Sequence, residues 1–508
     1  MPLFYLSHLS HFLPKAFILI IVFLISSCEM HSIEAEKETA IRFGLSAAPL
    51  TLDPRFARDA TSSHINRLLY RALICFDDQA RPAPDLATWE KLTTTHYRLT
   101  LGKEGRIFHT GALLTTKDVK ATYDFILDSD NASPHYGSLK NIQSIDIQDD
   151  NVIDFIIKQP DPLFLTKLTV GIVPAISIEK GHPLHKEPVG SGIFKFISWT
   201  DPYTLHVLRQ TDQQVFHFLT IKDPVVRVLK LLRGELDILQ NGISPELVAW
   251  LHQRDTLKIL THHGTNFTYL GFNLQDTEPT HQLAIRQAIA YAINRDEILY
   301  YIFAGSARPA SSLLPPTHWA GHPDLPTYDY QPTKAKTLLK QVGFSRENPL
   351  KLSYKTSTDP FRVRLATILQ QQLAKVGVQV EVMSYDWGTF FADIKQGRFQ
   401  MYSLSWVGIR SPDIFNYVFH SAAIPPQGAN RGRFSHPEVD QLLDQAVIET
   451  DLDKQAVYYQ KVQEIIFAEL PYIPLWYEDH RAIMNKNIDG YRLSVNGNYD
   501  GLFHVYRQ

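Results

Sequence analysis

Polar and apolar residues alternate along Leu352-Ser353-Tyr354-Lys355-Thr356, switch to helical spacing at Leu365, Ile368, Leu369 and Leu373, and alternate again at Val378, Val380 and Val382. Period two marks strands, and the i, i+3, i+4 stripe marks a helix. Gly377 stands where a helix end favours a left-handed residue. The pattern predicts a strand–helix–strand unit, and therefore parallel strands joined by a right-handed crossover. Further helical stripes fall at Ile285, Ala288, Ile289, Ala292 and Ile293, at Ala335, Leu338, Leu339 and Val342 before Gly343, at Leu442 to Ala446, and at Tyr458 to Ile466. Near the N-terminus Ile41 to Leu45 read as a strand, followed by Pro49-Leu50-Thr51-Leu52-Asp53-Pro54, which proline holds extended or turning. Mixed α/β layers are the simplest architecture for this order.

Ahead of these elements lies a different pattern. Lys15 precedes the unbroken apolar run Ala16 to Ile25, then Ser26, Ser27 and Cys28. The run is shorter than the ~20 residues a membrane-spanning helix needs and suits a cleaved export signal. Ile25-Ser26-Ser27-Cys28 resembles a bacterial lipobox, so Cys28 is the expected site of lipid attachment and 1–27 the signal peptide. A plain secretory signal and an uncleaved anchor are the alternatives. Residues Glu29 to Glu38 are mostly polar and read as a tether.

Once Cys28 is lipidated, Cys75 is the remaining cysteine, so an internal disulfide is excluded and stability must come from the core. The 508 residues are long enough for two or three domains. Fifty Lys+Arg against 53 Asp+Glu leave the chain nearly neutral, and no basic block interleaved with aromatics occurs, which argues against nucleic acid as a partner. No His-Glu-x-x-His, Gly-x-Ser-x-Gly, phosphate loop or Gly-x-Gly-x-x-Gly occurs, so no enzyme is indicated. Gly190-Ser191-Gly192 reads as a tight turn. His262 and His263 are adjacent on a strand and so point to opposite faces, which disfavours a shared metal.

Several segments together carry a resemblance: Leu50 to Pro54, Tyr97 to Asp118 (YRLTLGKEGRIFHTGALLTTKD), Pro188 to Gly192, Gly234-Glu235-Leu236-Asp237-Ile238, Gly271-Phe272-Asn273, Ile285 to Arg295 and the Lys334 to Gly343 helix. In this order they resemble the peptide/nickel/opine type of bacterial extracellular solute-binding proteins. The resemblance implies a two-lobed α/β periplasmic-binding-protein fold, type II-like, with a large extra domain on the first lobe. It places lobe I at 28–60, 188–270 and 475–508, the extra domain at 61–187 and lobe II at 271–474. Gly190 and Gly271 are expected beside the interlobe crossings. It further implies a monomer in the cell envelope, periplasmic and lipid-anchored, that captures a peptide or peptide-like solute and passes it to an ABC permease. No cofactor is implied. A lipoprotein hydrolase acting on envelope material, and a nickel or metal-chelate binder or sensor on the same fold, are the alternatives.

In oligopeptide and dipeptide binders the segment after the tryptophan matching Trp406 carries an aspartate three residues on, which pairs with the ligand's α-amino group. Here that position is Ile409, followed by Arg410. The reading places Arg410 in the cleft as a grip on an acidic or carbonyl-rich part of the solute, with Trp406 as an apolar wall. Asp413 supplies a carboxylate from a shifted position, or starts a helix. Ser63 and His64 match a first-lobe stretch that faces ligand, the rival reading of Thr61 to Ser63 being a helix cap. Lys355 stands at the C-terminal end of a strand, where open sheets bind ligands. Tyr385 and Trp387 resemble the family's aromatic pair, and Arg431 and Arg433 fall near the cleft or on the surface.

Overall fold

The computed structural model describes residues 40–345, 347–409 and 411–508. Cys28 and Arg410, both singled out above, lie outside the described residues.

The strand–helix–strand unit forms as the pattern requires. Leu350–Ser357 and Val378–Tyr385 pair in parallel, from Leu350 opposite Val378 to Ser357 opposite Tyr385, and helix Pro360–Ala374 joins them. Asp359 caps that helix by accepting from the Arg362 amide at 2.9 Å, and Pro360 occupies the first turn, where its missing N–H costs nothing. Gly377, at φ +94°, turns the chain back into the sheet.

One large sheet runs through most of the molecule. Its strands lie in the order Val378–Tyr385, Leu350–Ser357, Met401–Trp406, Leu257–Phe272, Tyr472–Asn485, Ile238–Gln240, Ile41–Leu45, Gln214–Thr220, Thr204–Arg209 and Phe194–Asp201. Two members are unusually long. Leu257–Phe272 has 16 residues and Tyr472–Asn485 has 14, and they pair antiparallel from Leu257 opposite Asn485 to Gly271 opposite Tyr472. Sixteen extended residues reach about 50 Å, enough to belong to both halves of the molecule.

Buried apolar residues form separate cores on either side of that passage. Ile41, Phe43, Ile65, Phe216, Ile238 and Met484 share one cluster, with Val228, Leu239, Val248 and Ile483 on the other face of the same strands. In the second half Ile289, Leu339, Tyr354, Leu369 and Val378 share a cluster, and Tyr269, Phe415, Leu443 and Tyr459 share the next. A four-stranded antiparallel sheet, Ala87–Thr93, His96–Leu101, Val152–Ile157 and Ile142–Ile147, has its own core running from Leu73 to Ile172.

The crossing between the halves sits at a register shift between His262 and Asn266, opposite His480 and Glu478. Gly264 lies inside the shift, where a Cβ would stand 2.3 Å from the Glu478 carbonyl oxygen. Arg308 ties the two strands there, donating to the Gly264 carbonyl at 2.7 Å and to Asp479 Oδ1 at 2.8 Å. The glycines expected beside the crossings serve close packing elsewhere. Gly271 lies within the second half's sheet, its Cβ position 2.6 Å from the Tyr402 ring. Gly190 backs onto the Leu69 carbonyl, 1.9 Å from its Cβ position, and accepts from the His109 amide at 2.8 Å.

The extra sheet's domain also touches the second half. Leu163 is buried in the cluster of Ile409, Phe415 and Tyr459, the Trp319 amide donates to the Gln79 carbonyl at 3.3 Å, and Arg81 reaches Asp453 at 3.4 Å. The halves therefore touch on that side.

Candidate functional site

Helix Ala60–Leu69 is the first wall of the site. Asp59 caps it, accepting from the Ser62 amide at 2.8 Å, while the buried Ser62 hydroxyl accepts from the amides of Leu50 at 2.8 Å and Thr51 at 3.1 Å. The cap is thus Asp59, and Thr61 and Ser63 are left for other work. Ile65, Leu68 and Leu69 face the core. Ser63, Asn66 and Arg67, with Tyr70 just beyond the helix end, follow i, i+3, i+4, i+7 spacing and face a cavity of about 910 Å³.

Other segments complete that cavity. Pro54, Ala57 and Arg58, His135, and Thr166, Lys167 and Thr169 to Gly171 come from the first half and its extra domain, Gln240 to Gly242 and Asn496 to Tyr499 from loops at the end of the first-half sheet, and Asn266 and His480 from the crossing strands. Val407, Gly408, Ser411 and Asp413 reach it from the second half. The space is therefore interlobe, and its volume falls in the ~300–1,000 Å³ range of small-solute sites.

Charge in the cavity is mostly committed. Arg67 Nε donates to Asp500 Oδ1 at 2.8 Å, and although burial alone would lower its pKa, Asp500 raises it. His480 is held between the Asn241 amide, at Nδ1, and the Val495 carbonyl, at Nε2; burial lowers its pKa and keeps it neutral. Lys167 is bound to Asp161 at 2.6 Å. Arg58 is exposed to the cavity.

Asp413 differs. It holds the N-cap position of helix Ile414–Phe419, yet its side chain makes no cap bond, and among the described residues it has no ion pair. Burial pushes its pKa up to about 6; the Lys167 charge and the Ser411 hydroxyl work against that shift, and the Asp161 charge adds to it. A half-buried carboxylate facing an interlobe cavity, with no ion pair of its own, is an acceptor suited to a cation.

The expected site residues fall into two groups. Ser63, His64 and Asp413 line the cavity, His64 with its ring edge-on to Tyr499 at 4.7 Å. Lys355, Tyr385, Trp387, Trp406 and Arg431 are not among the cavity-lining residues and belong to a cluster within the second half. Lys355 is bound to Asp393 at 2.6 Å, which also holds Arg398, and its ammonium stands 5.3 Å from the Tyr385 ring. Arg431 donates to the Tyr269 hydroxyl at 2.9 Å, with its guanidinium over the Phe391 ring at 5.5 Å and the Trp406 ring at 5.0 Å. Burial would lower its pKa, but Tyr269, Tyr402 and Tyr472 outweigh that and raise it. Trp387 is 58% exposed and stacks on Phe391 at 5.4 Å. Arg433 lies beside Gly397. Ile409, at the position of the missing aspartate, packs beside Leu163 in the core.

Asn66, Arg58, His135, Asn241 and His480 were not singled out from sequence. Asn66 could have been found from Ser63 by helical spacing; His480 comes from the long strand Tyr472–Asn485 and the others from segments with no local signature. Among the described residues no three His, Cys, Asp or Glu side chains converge as a metal site, and no helix is long and apolar enough to cross a membrane.

Comparison with known proteins gives consistent matches. The dipeptide-binding protein of Escherichia coli (strain K12) is 27% identical over 365 residues, 68% of each chain. The di/tripeptide-binding protein 2 of Pseudomonas aeruginosa (strain UCBPP-PA14) is 26% identical over 522 residues, covering 95% of this chain and 97% of its own. The solved structure of the ABC transporter-associated periplasmic binding protein DppA from Helicobacter pylori, in complex with the peptide STSA, superposes with a TM-score of 0.73 at 26% identity, covering 92% of this chain and 98% of its own. The family model for bacterial extracellular solute-binding proteins, family 5, matches residues 81–424, and the chain belongs to that family.

Proposed function

We propose that this protein is the solute-binding component of an ABC importer, which encloses a peptide or peptide-like solute between its lobes and delivers it to a membrane permease. Lobe I at 28–60, 188–270 and 475–508, an extra domain at 61–187 and lobe II at 271–474 are part of the proposal, and lipid attachment at Cys28 would hold the protein at the membrane. The names of the peptide-binding relatives support the solute class.

The observation that carries the reading is Asp413. Its carboxylate is half-buried, lines the interlobe cavity and has no ion pair among the described residues. An ammonium from the solute would supply the missing charge, in place of the aspartate that Ile409 displaces. Arg410, which precedes it by three residues, is proposed to grip a carboxylate or carbonyl of the solute, since its planar fork of donors suits such a group and stays charged at any relevant pH.

Isothermal titration with di- and tripeptides, each with a free or an acetylated N-terminus, tests both roles. Truncating one partner of a buried charge pair costs roughly 2–5 kcal/mol, so Asp413→Asn and Arg410→Ala should each weaken binding of the free peptides by about 30-fold or more. Acetylation should cost the parent a similar factor and the Asp413→Asn protein little. Equal affinity of the parent for free and acetylated peptides would remove Asp413 as the amine anchor, and an unchanged Arg410→Ala affinity would return Arg410 to the scaffold.

A further inference from the structure

In the same cavity as Asp413, on the opposite lobe, Asn66 is only 5% exposed, yet neither its amide nitrogen nor its carbonyl oxygen has a hydrogen-bond partner. Buried polar side chains are nearly always bonded, so two open positions on one amide require a reason. Asn66 lies on the helix face that lines the cavity, between Ser63 and Tyr70. A second open position lies in the same cavity: His135 Nε2 is buried without a partner. The His135 ring lies against the carbonyls of Pro54 and Ala57, and burial lowers its pKa, so it is neutral. A neutral ring has one N–H and one acceptor nitrogen, and Nε2 has no hydrogen-bond partner.

We infer that Asn66 and His135 form a subsite that reads a peptide or carboxamide group of the solute, with Asn66 donating to its carbonyl and accepting from its N–H while His135 Nε2 accepts a further N–H. With Nε2 as the acceptor, Asn66 and His135 together offer one donor group and two acceptors. A carboxylate would satisfy Asn66 Nδ2 and leave both acceptors facing more negative charge. An ammonium would satisfy the acceptors and leave Nδ2 unbonded. A primary carboxamide, or a peptide bond together with the backbone N–H that follows it, satisfies all three. The inference rests on the peptide reading above and adds to it that a peptide bond, or a side-chain amide, is buried against helix Ala60–Leu69 rather than left in the mouth of the cavity.

The probe is a casein hydrolysate of short peptides, incubated with the full chain and with its Asn66→Leu and Asn66→Ala variants. Peptides retained after gel filtration are identified by mass spectrometry, and the best retained one is titrated into each protein. Leaving the ligand's amide unpaired should weaken that peptide by about 10- to 100-fold in both variants. The melting temperature without ligand should match the parent's or exceed it for Asn66→Leu, because an apolar replacement removes an unsatisfied group. Variants that bind as tightly as the parent, or that lose unliganded stability in step with binding, overturn the inference while leaving the peptide reading intact. A parent that retains no peptide overturns both.

Discussion

Asp413 has a consequence for stability as well as for binding. Its carboxyl, ordinarily near 3.8, titrates at about 6 in the folded protein, with burial as the main cause. Between those pH values the folded chain holds a proton that the unfolded chain has released. Stability therefore falls as pH rises from about 4 to about 6, and the loss is complete above that. Two units correspond to at most about 3 kcal/mol, an upper limit because opening of the lobes rehydrates the group. Asp413→Asn mimics the protonated form, so without ligand it should melt above the parent at pH 7.5, with the gap closing near pH 4. A constant gap at all pH values would mean that the carboxyl is not perturbed by its surroundings. Residue chemistry also explains which site residues the sequence could and could not identify. Ser63, His64 and Asp413 were legible because each sits beside a local signature and lines the cavity. Lys355 had an equally good position at the end of its strand, but Asp393, from helix Trp387–Gln396, takes its charge, and that partner is 38 positions away. Arg431 was found as a candidate, whereas its tyrosine and aromatic surroundings, Tyr269, Phe391 and Trp406, come from segments no local pattern links.

At the level of elements, local periodicity revealed the strand–helix–strand unit, with Gly377 and Gly343 at left-handed positions beyond their helices. It did not reveal the crossing. The register shift between His262 and Asn266 depends on a partner more than 200 positions later, so alternation along one strand carries no trace of it. The extra domain shows the same limit. Ile65, Leu68 and Leu69 pack with Ile41 and Phe43, while the separate core begins at Leu73 and ends at Ile172, so cores would divide the chain inside the expected 61–187 span. Gly264 makes the crossing testable. A Cβ there meets backbone rather than a movable side chain, so Gly264→Ala must push the two long strands apart. The variant should lower the melting temperature and change the ligand-linked compaction seen by small-angle scattering, the hinge behaviour of periplasmic binders. Gly190→Ala and Gly271→Ala, which crowd packing away from the crossing, should lower stability without altering the ligand-free radius of gyration. A Gly264→Ala protein with unchanged stability and compaction would remove the crossing from this role.

For the whole molecule, contact between the halves and the proposed membrane attachment are each open to test. Leu163 in the second half's core, the bond from Trp319 to Gln79 and the ion pair of Arg81 with Asp453 bring the halves into contact. Attachment is proposed at Cys28, so Cys28→Ala should move the folded protein from the membrane to the soluble fraction; recovery in the membrane with the leader removed would contradict lipidation. The central claim is that a peptide-like solute occupies the interlobe cavity. Ser63 faces that cavity and is exposed, so Ser63→Trp fills the space at little cost to the fold. Mass spectrometry of small molecules released by denaturing the freshly purified protein, beside the Ser63→Trp variant, tests the claim most directly. The account predicts compounds with peptide bonds from the parent and their loss from the variant; release of no such compound from the parent, or equal release from both proteins, would contradict it.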